Sequence, residues 1–322
     1  MKPVVSVVIL AYNVAPYVCE AATSALQQSE ERIEVIIVDD GSSDDTARQL
    51  LSVADHRLRI LNQTHSGSAA ARNKGVSHAD ALYLAFLDAD DRWAPNKLQR
   101  HIAVLDSRPD IDLTFSNSGI VDGKGRVWPM LTLHPGGAVS LEELIRENWI
   151  RNGSAAVLRR RALDLAGLFD TSLPSCTDID MWLRIAGLRQ GNVWCLPEVL
   201  TYYRRRPGQI SGDWRTMAAG FDRLAEKLEQ SNPKEYAAAW RQSFSNRYRY
   251  FAMIASEQTA IADALRLLWR SVRTSPRSSL GDRRTWLTLA IVCSGWVLPR
   301  WIKDGLWSLT ASTINRFRGT TP

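Results

Sequence analysis

Residues 1–214 of this 322-residue chain predict an α/β domain, a mostly parallel sheet flanked by helices, and the residues behind it predict a helical extension. Three observations carry this reading. The runs 4-VVSVVIL-10, 33-IEVIIV-38 and 82-LYLAFL-87 are short and almost continuously apolar, as strands covered on both faces must be. Helix-like stretches separate them, and strand–helix alternation builds open parallel sheets. Each run also ends in polar residues, at the sheet edge where such folds bind ligands.

In chain order, the first run leads through Ala11-Tyr12-Asn13 into a helix expected over 15–28. The second ends at Asp39-Asp40-Gly41-Ser42 and leads into a helix over 44–54. Ser42-Ser43 is a capping signal for that helix, with acids in its first turn. A third helix is expected over 67–78. The third run ends at Asp88-Ala89-Asp90-Asp91 and precedes a helix near 92–107, which Asp91 is placed to cap. The middle of the chain mixes strands at 111–115, 192–197 and 200–203 with helices near 140–147 and 178–190. From about 215 the pattern becomes helical, over 217–230, 234–256, 259–276 and 285–299. The last of these segments is uncharged for 15 residues, fewer than the ~20 a spanning helix needs, and basic residues and tryptophans flank it. A helix lying in a membrane interface over 285–310 fits that composition, as does a helix packed on protein.

Charge divides the same way. Residues 215–322 hold 17 basic and 8 acidic side chains, whereas the chain as a whole is only +6. The four cysteines are scattered and form no CxxC pair, which excludes a zinc ribbon and suits a reducing compartment. The N-terminus runs straight into a strand-like segment without a secretory leader pattern. Neither GxGxxG nor GxxxxGK[ST] occurs, so the common dinucleotide and phosphate-loop signatures are missing.

The acids after the third run need an explanation. Asp88 and Asp90 leave an extended segment on the same face, and paired carboxylates are costly unless a cation screens them. A hard divalent ion that takes few protein carboxylates and completes its shell with phosphate oxygens meets the requirement. Asp39-Asp40-Gly41-Ser42 alone would read as a turn with a helix cap. Three such strand ends in succession point instead to a functional site, in which the acids are one half and a diphosphate the other.

Taken together, 5-VSVVILAYN-13, 35-VIIVDDGSSDDT-46, 66-SGSAAARNKG-75 and 86-FLDADD-91 resemble glycosyltransferase family 2, whose members transfer sugars from nucleotide donors on the GT-A fold, a Rossmann-like layering. The resemblance covers roughly 3–212. It implies a catalytic domain over 1–214, with a nucleotide-binding half (1–110) and an acceptor half (111–214), and an extension over 215–322. It further implies that Ala11, Tyr12 and Asn13 line the nucleotide, with Tyr12 stacking near the base. Asp40 would read the base, and Arg72 would approach the nucleotide or its phosphates. Asp90 would be the main ligand of Mg²⁺ or Mn²⁺, with Asp88 reaching the metal or the donor sugar. In 175-SCTDIDMWLRIAG-187, Asp178 falls at the position of the family's catalytic base and Thr177 stands where Glu is frequent. Asp180 competes with Asp178 for that role. In 202-YYRRRPGQIS-211, Arg204 matches a family arginine near the leaving group and Arg206 replaces a frequent histidine.

The activity so implied is inverting, metal-dependent, non-processive transfer of a sugar from a nucleoside-diphosphate donor, UDP favoured, to a glycan or lipid-linked glycan in cell-surface polysaccharide biosynthesis. Non-processive transfer agrees with the lack of a QxxRW motif and of a multi-span apolar bundle. An anionic membrane surface contacted through 284–318, a cytoplasmic setting peripheral to the inner face of the cell membrane, and a homodimer complete the expectations. Nucleic acid is not an expected partner. Two other readings keep the sheet: a nucleotidyltransferase, although 11-AYNVAPYV-18 lacks the glycines and basic residue of its usual loop, and a non-catalytic membrane-recruited binding module.

Overall fold

A computed structural model describes residues 2–122, 125–128, 133–231 and 236–294. Chain contacts divide it into two units: Met1–Leu144 with Asn148–Arg206, and Ile145–Glu147 with the chain from Pro207 on.

The first unit begins β1 (Val5–Ala11), α1 (Val18–Leu26), β2 (Ile33–Asp39), α2 (Thr46–Leu50), β3 (Leu58–Asn62), α3 (Ser68–Ser77) and β4 (Tyr83–Asp88). It continues with β5 (Arg92–Trp93), α4 (Lys97–Ser107), β6 (Leu113–Val121), β7 (Val127–Trp128), β8 (Gly137–Val139) and the residues up to Leu144 of α5 (Leu141–Arg146). It closes with β9 (Ala156–Arg159), α6 (Arg160–Ala166), α7 (Thr177–Ala186) and β10 (Val193–Arg204). The strands form one sheet in the order β3-β2-β1-β4-β9-β6-β10-β5. β3, β2, β1 and β4 pair in parallel. β9 runs antiparallel to both β4 and β6, so β6 points the same way as β4, and β10 is parallel to β6. Six strands therefore end on one edge, in agreement with the expected α/β class.

The three apolar runs form β1, β2 and β4, whose inner residues are wholly buried. Five strands escaped the sequence reading: β5, β7 and β8, each of two or three residues, and the longer β3 and β9. β3 mixes half-buried with exposed residues because it is an edge strand, and β9 is four residues long and leads into a run of arginines. The separate strands expected at 192–197 and 200–203 are one strand, β10, with register shifts between Leu196 and Thr201. Helix 44–54 contracts to α2. Its expected Ser42 cap bonds instead to the Asp39 carboxylate and to the Asn13 N–H, tying the ends of β1 and β2 together. Asp91 does not cap the following helix either: α4 starts at Lys97, after Asn96.

The second unit contains α8 (Trp214–Ser231), α9 (Ala237–Glu257), α10 (Ile261–Thr274), α11 (Pro276–Gly281) and α12 (Arg283–Ser294). Phe221, Phe251, Leu267 and Leu268 build its core, and Phe221 meets Phe251 edge-on at 6.1 Å. Buried Ser245, Ser271 and Ser279 form a hydroxyl seam through α9, α10 and α11. Among the described residues no helix is long and apolar enough to cross a membrane. The part of the expected interfacial segment from 295 on lies outside them.

Close packing of α3 on β1 helps to hold the first unit together. A methyl at Gly75 would collide with Cγ1 of wholly buried Val8 and stand 3.1 Å from its Cγ2. Gly75→Ala is therefore expected to destabilise by about 1–3 kcal/mol through overpacking, less up to ~1 kcal/mol of gained helix propensity. Urea unfolding measures this, and an unchanged or raised midpoint would contradict the close approach.

Candidate active site

At the ends of β1, β2 and β3, Asp40 is buried and its carboxylate organises the loop after β3. Oδ1 accepts from Gln63 Nε2 (2.7 Å) and the Ser66 N–H (2.8 Å). Oδ2 accepts from the Gly67 N–H (2.9 Å) and stands 2.9 Å from His65 Nδ1. Four donors occupy the roughly four acceptor positions of a carboxylate. A base N–H could reach Asp40 only by displacing one of them, and half-exposed His65 is the most accessible. Tyr12 is exposed and stacks on the His65 ring at 4.0 Å and 19°. Asn13 adopts φ 52°, and its side-chain oxygen accepts from the Ser43 N–H (2.8 Å). The Ala11 carbonyl accepts the Asp40 N–H (2.9 Å). Ala11, Tyr12, Asn13 and Asp40 thus form one strapped corner.

At the end of β4 each crowded acid has its own partner. Asp88 Oδ1 accepts from Arg72 Nη2 (3.0 Å), and Asp90 Oδ2 from Arg206 Nε (2.6 Å). Asp91 is wholly enclosed. It accepts from Ser154 Oγ (2.6 Å) and from the Arg204 N–H (2.9 Å), linking β4 to β9 and β10. Burial, and then the charge of Asp88, raises the Asp90 pKa above the ordinary value; burial with both neighbouring acids raises Asp91 well above it. The Arg204 side chain is buried between Glu20 Oε2 (2.5 Å) and the Asp90 carbonyl (2.8 Å). It is a packing and positioning group, whereas Arg206 holds an acid of the site directly.

The first turn of α7 separates the two candidate bases. Asp180 is buried and paired with Arg184 one turn on (2.8 Å), and Arg184 also bonds the carbonyl of Leu168. The Asp178 carboxylate is half-buried and is met by the backbone N–H of Ile179, but by no side-chain hydrogen bond or ion pair among the described residues. Burial raises its pKa, Arg72 opposes the rise and Asp88 adds to it, so all three charges share one neighbourhood. Thr177 Oγ1 accepts from Arg72 Nη1 (3.0 Å), which makes Arg72 the bridge from β4 to α7. Arg72 Nε is buried and unbonded among the described residues.

Sequence reasoning missed His65, Gly153 and Ser154. Ser154 Oγ accepts the Asp88 N–H (3.0 Å) as well as bonding Asp91, and its carbonyl accepts Trp93 Nε1 (2.9 Å). A methyl at Gly153 would come within 2.9 Å of Arg72 Nη2. His65 lies 25 positions from Asp40 and Ser154 lies 63 from Asp91, and no local pattern marks either.

The chemistry of the donor set suits a divalent cation. Asp88 Oδ2 and Asp90 Oδ1 carry no bond to another side chain among the described residues, and a cation between them would relieve the repulsion that adds to burial in lifting Asp90. No group of three or more acidic, His or Cys ligands stands ready among those residues, so most of the shell would come from water and phosphate oxygens.

Residues 6–165 match the family model described as Glycosyl transferase family 2. Among curated proteins, a glycosyltransferase of Rickettsia felis is 30% identical over 195 residues, 57% of this chain and 31% of that protein. The chain likewise spans about a third of the length of the relatives from Rickettsia conorii and Rickettsia bellii. The Escherichia coli UDP-Glc:alpha-D-GlcNAc-diphosphoundecaprenol beta-1,3-glucosyltransferase WfgD is 26% identical over 236 residues, 72% of this chain and 89% of that protein. Among solved structures, S. aureus TarS 1-349 superposes with a TM-score of 0.61 at 20% identity, covering 92% of this chain and 89% of that one. The Pyrobaculum calidifontis mannosyltransferase PcManGT, in complex with GDP-Man and Mn²⁺, superposes at 0.58 and 19% identity, covering 92% and 87%. The fold is that of these GT-A enzymes, and the chain belongs to glycosyl transferase family 2.

Proposed function

We propose that this chain is an inverting, non-processive glycosyltransferase that moves a sugar from a nucleoside-diphosphate donor to a hydroxyl of a glycan or lipid-linked glycan in cell-surface polysaccharide biosynthesis. The observation that carries the reading is Asp178. It is the one candidate-site acid without a side-chain partner among the described residues, and it lies within the field of Arg72 and Asp88.

In this mechanism the strapped corner of Ala11, Tyr12, Asn13 and Asp40 receives the nucleotide, with Tyr12 offering its exposed face to the base. Arg72, with its spare Nε–H, and Arg206 face the diphosphate. Asp178 accepts the proton of the acceptor hydroxyl as that oxygen attacks the anomeric carbon, and the configuration inverts. A carboxylate with a raised pKa is the stronger base, which suits that task. Asp90 and Asp88 would hold Mg²⁺ or Mn²⁺, which when bound offsets the charge growing on the leaving diphosphate. Positive charge in fixed places around the diphosphate does the same from the protein side. UDP is the favoured carrier; the TarS complex with UDP-GlcNAc and the PcManGT complex with GDP-Man are precedents of fold for either base. The basic extension and its exposed Trp286 support a peripheral position on an anionic membrane surface through 284–318, on the cytoplasmic side. A homodimer is compatible with this arrangement.

Asp178→Asn should keep donor affinity and lose transfer by about 10²–10⁴-fold, the usual contribution of a positioned base. Nucleoside diphosphate release with a donor panel is the measurement, and full turnover by the variant would refute the assignment. Pyrophosphate as product would instead favour a nucleotidyltransferase. Asp180→Asn should lower stability, because it strands Arg184 among backbone carbonyls, with a smaller direct effect on chemistry.

Asp178 works ionised, and its pKa is raised above the ordinary 3.8, so kcat/KM must fall as pH drops through the raised value. The acid limb is expected above the ordinary aspartate range. A rate flat down to pH 4 would argue for another base.

Asp90→Ala should abolish metal-stimulated donor binding in calorimetric titration. Equal binding with and without a chelator in the parent enzyme would count against the cation site.

A further inference from the structure

We propose that the segment Trp149–Gly153 is the subsite for a phosphorylated sugar acceptor, with Trp149 as the surface under the sugar ring and Arg151 as the contact for its phosphate. The proposal rests on the glycosyltransferase reading above and adds the chemical class of the acceptor.

Topology puts the segment in place. β9 runs against β4 and β6, so the residues entering it lie at the edge where those two strands end. Asn152 Nδ2 donates to Ser118 Oγ of β6 (3.1 Å), and Ser154 receives the Asp88 N–H at the end of β4. Gly153, between them, lies against Arg72. Trp149 and Arg151 are thus only a few residues from the acid cluster, on the acceptor side.

The local conformation is costly. Arg151 has φ 62°, and the Asn152 N–H bonds the Ile150 carbonyl (2.7 Å), closing a three-residue turn around it. A non-glycine residue at the centre of such a turn is strained, and strain of this kind gathers at ligand sites. Glycine would adopt the turn more readily, yet the position carries a cation. The guanidinium lies 5.8 Å from the Trp149 ring centroid.

Trp149 is half-buried and braced edge-on by His134 (5.1 Å, 79°). His134 is itself fixed by reciprocal bonds with Asn117, each 2.9 Å. A held aromatic face, negative at its centre, suits the C–H face of a pyranose. Asn152 is more than nine-tenths buried, and its Oδ1 has no partner among the described residues. Such an acceptor atom is normally satisfied, and a sugar hydroxyl supplies the donor it lacks. Aromatic face, free acceptor and cation in one short segment recognise a sugar bearing phosphate better than a neutral glycan.

The test is calorimetric titration of the full chain, with and without saturating UDP. The probes are N-acetylglucosamine 1-phosphate, octyl N-acetylglucosaminyl diphosphate and neutral octyl N-acetylglucosaminide. The parent should bind the charged probes at least about tenfold tighter than the neutral one, the value of one charge-assisted contact. Arg151→Gly, which relieves the strained φ, should erase that gap and leave UDP affinity unchanged; Arg151→Lys should keep part of it. Trp149→Ala should weaken all three probes. Preference for the octyl diphosphate over the free 1-phosphate would identify a lipid-linked source, and equal affinity a soluble one, each in line with the proposal. It is overturned if charged and neutral probes bind alike, if none binds, or if Arg151→Gly preserves the gap. Failure of the glycosyltransferase reading would show separately, as absence of UDP and GDP binding and of donor turnover.

Discussion

Three carboxylates within four residues at the end of a buried strand repel one another, and the rest of this site is arranged to hold them. Each is met by a different group from a different part of the chain: Asp88 by Arg72 of α3, Asp90 by Arg206 after β10, Asp91 by Ser154 and the Arg204 backbone. The acids are therefore the knots that tie the two halves of the sheet together. Breaking a buried ion pair by removing one partner leaves an uncompensated charge, a larger loss than the pair's own worth. Stability and chemistry are coupled here through the same side chains.

Arg72 shows the coupling most clearly. One guanidinium bonds a β4 acid and the threonine that opens α7, and its field reaches Asp178. The group that steadies Asp88 thus also sets the electrostatic surroundings of Asp178, the proposed base. Thr177, where a glutamate is frequent in the family, gives Arg72 a neutral partner and leaves more of its positive charge uncompensated.

Strand ends were readable in the sequence because burial on both faces demands unbroken apolar runs, and acids at the end of such a run have few structural excuses. Asp178 and Asp180 could not be told apart by helix position, since both sit in the first turn. The spacing from Asp180 to Arg184, one helical turn, is the sequence signal that assigns Asp180 to an ion pair. Ser154 and Gly153 were hidden because their roles exist only once β9 is inserted backwards between β4 and β6. The serines after β2 looked like a helix cap because a hydroxyl that ties two loops has the same local sequence as one that starts a helix.

The irregularity in β10 has a consequence for how this chain can vary. Leu196 pairs with Ser116 and Thr201 with Ser118, so five steps along β10 answer two along β6. Alternation along a strand has a period of two, and an odd slippage inverts which face each later residue presents. Residues 201–204 are therefore out of phase with the start of their own strand, and in this shifted stretch the Arg204 N–H meets Asp91. Loss or gain of one residue between Pro197 and Leu200 would keep every strand and helix and turn the last strand inside out. In this short stretch residue number is constrained more tightly than residue identity, and natural variation should appear there as exchange of side chains at constant length.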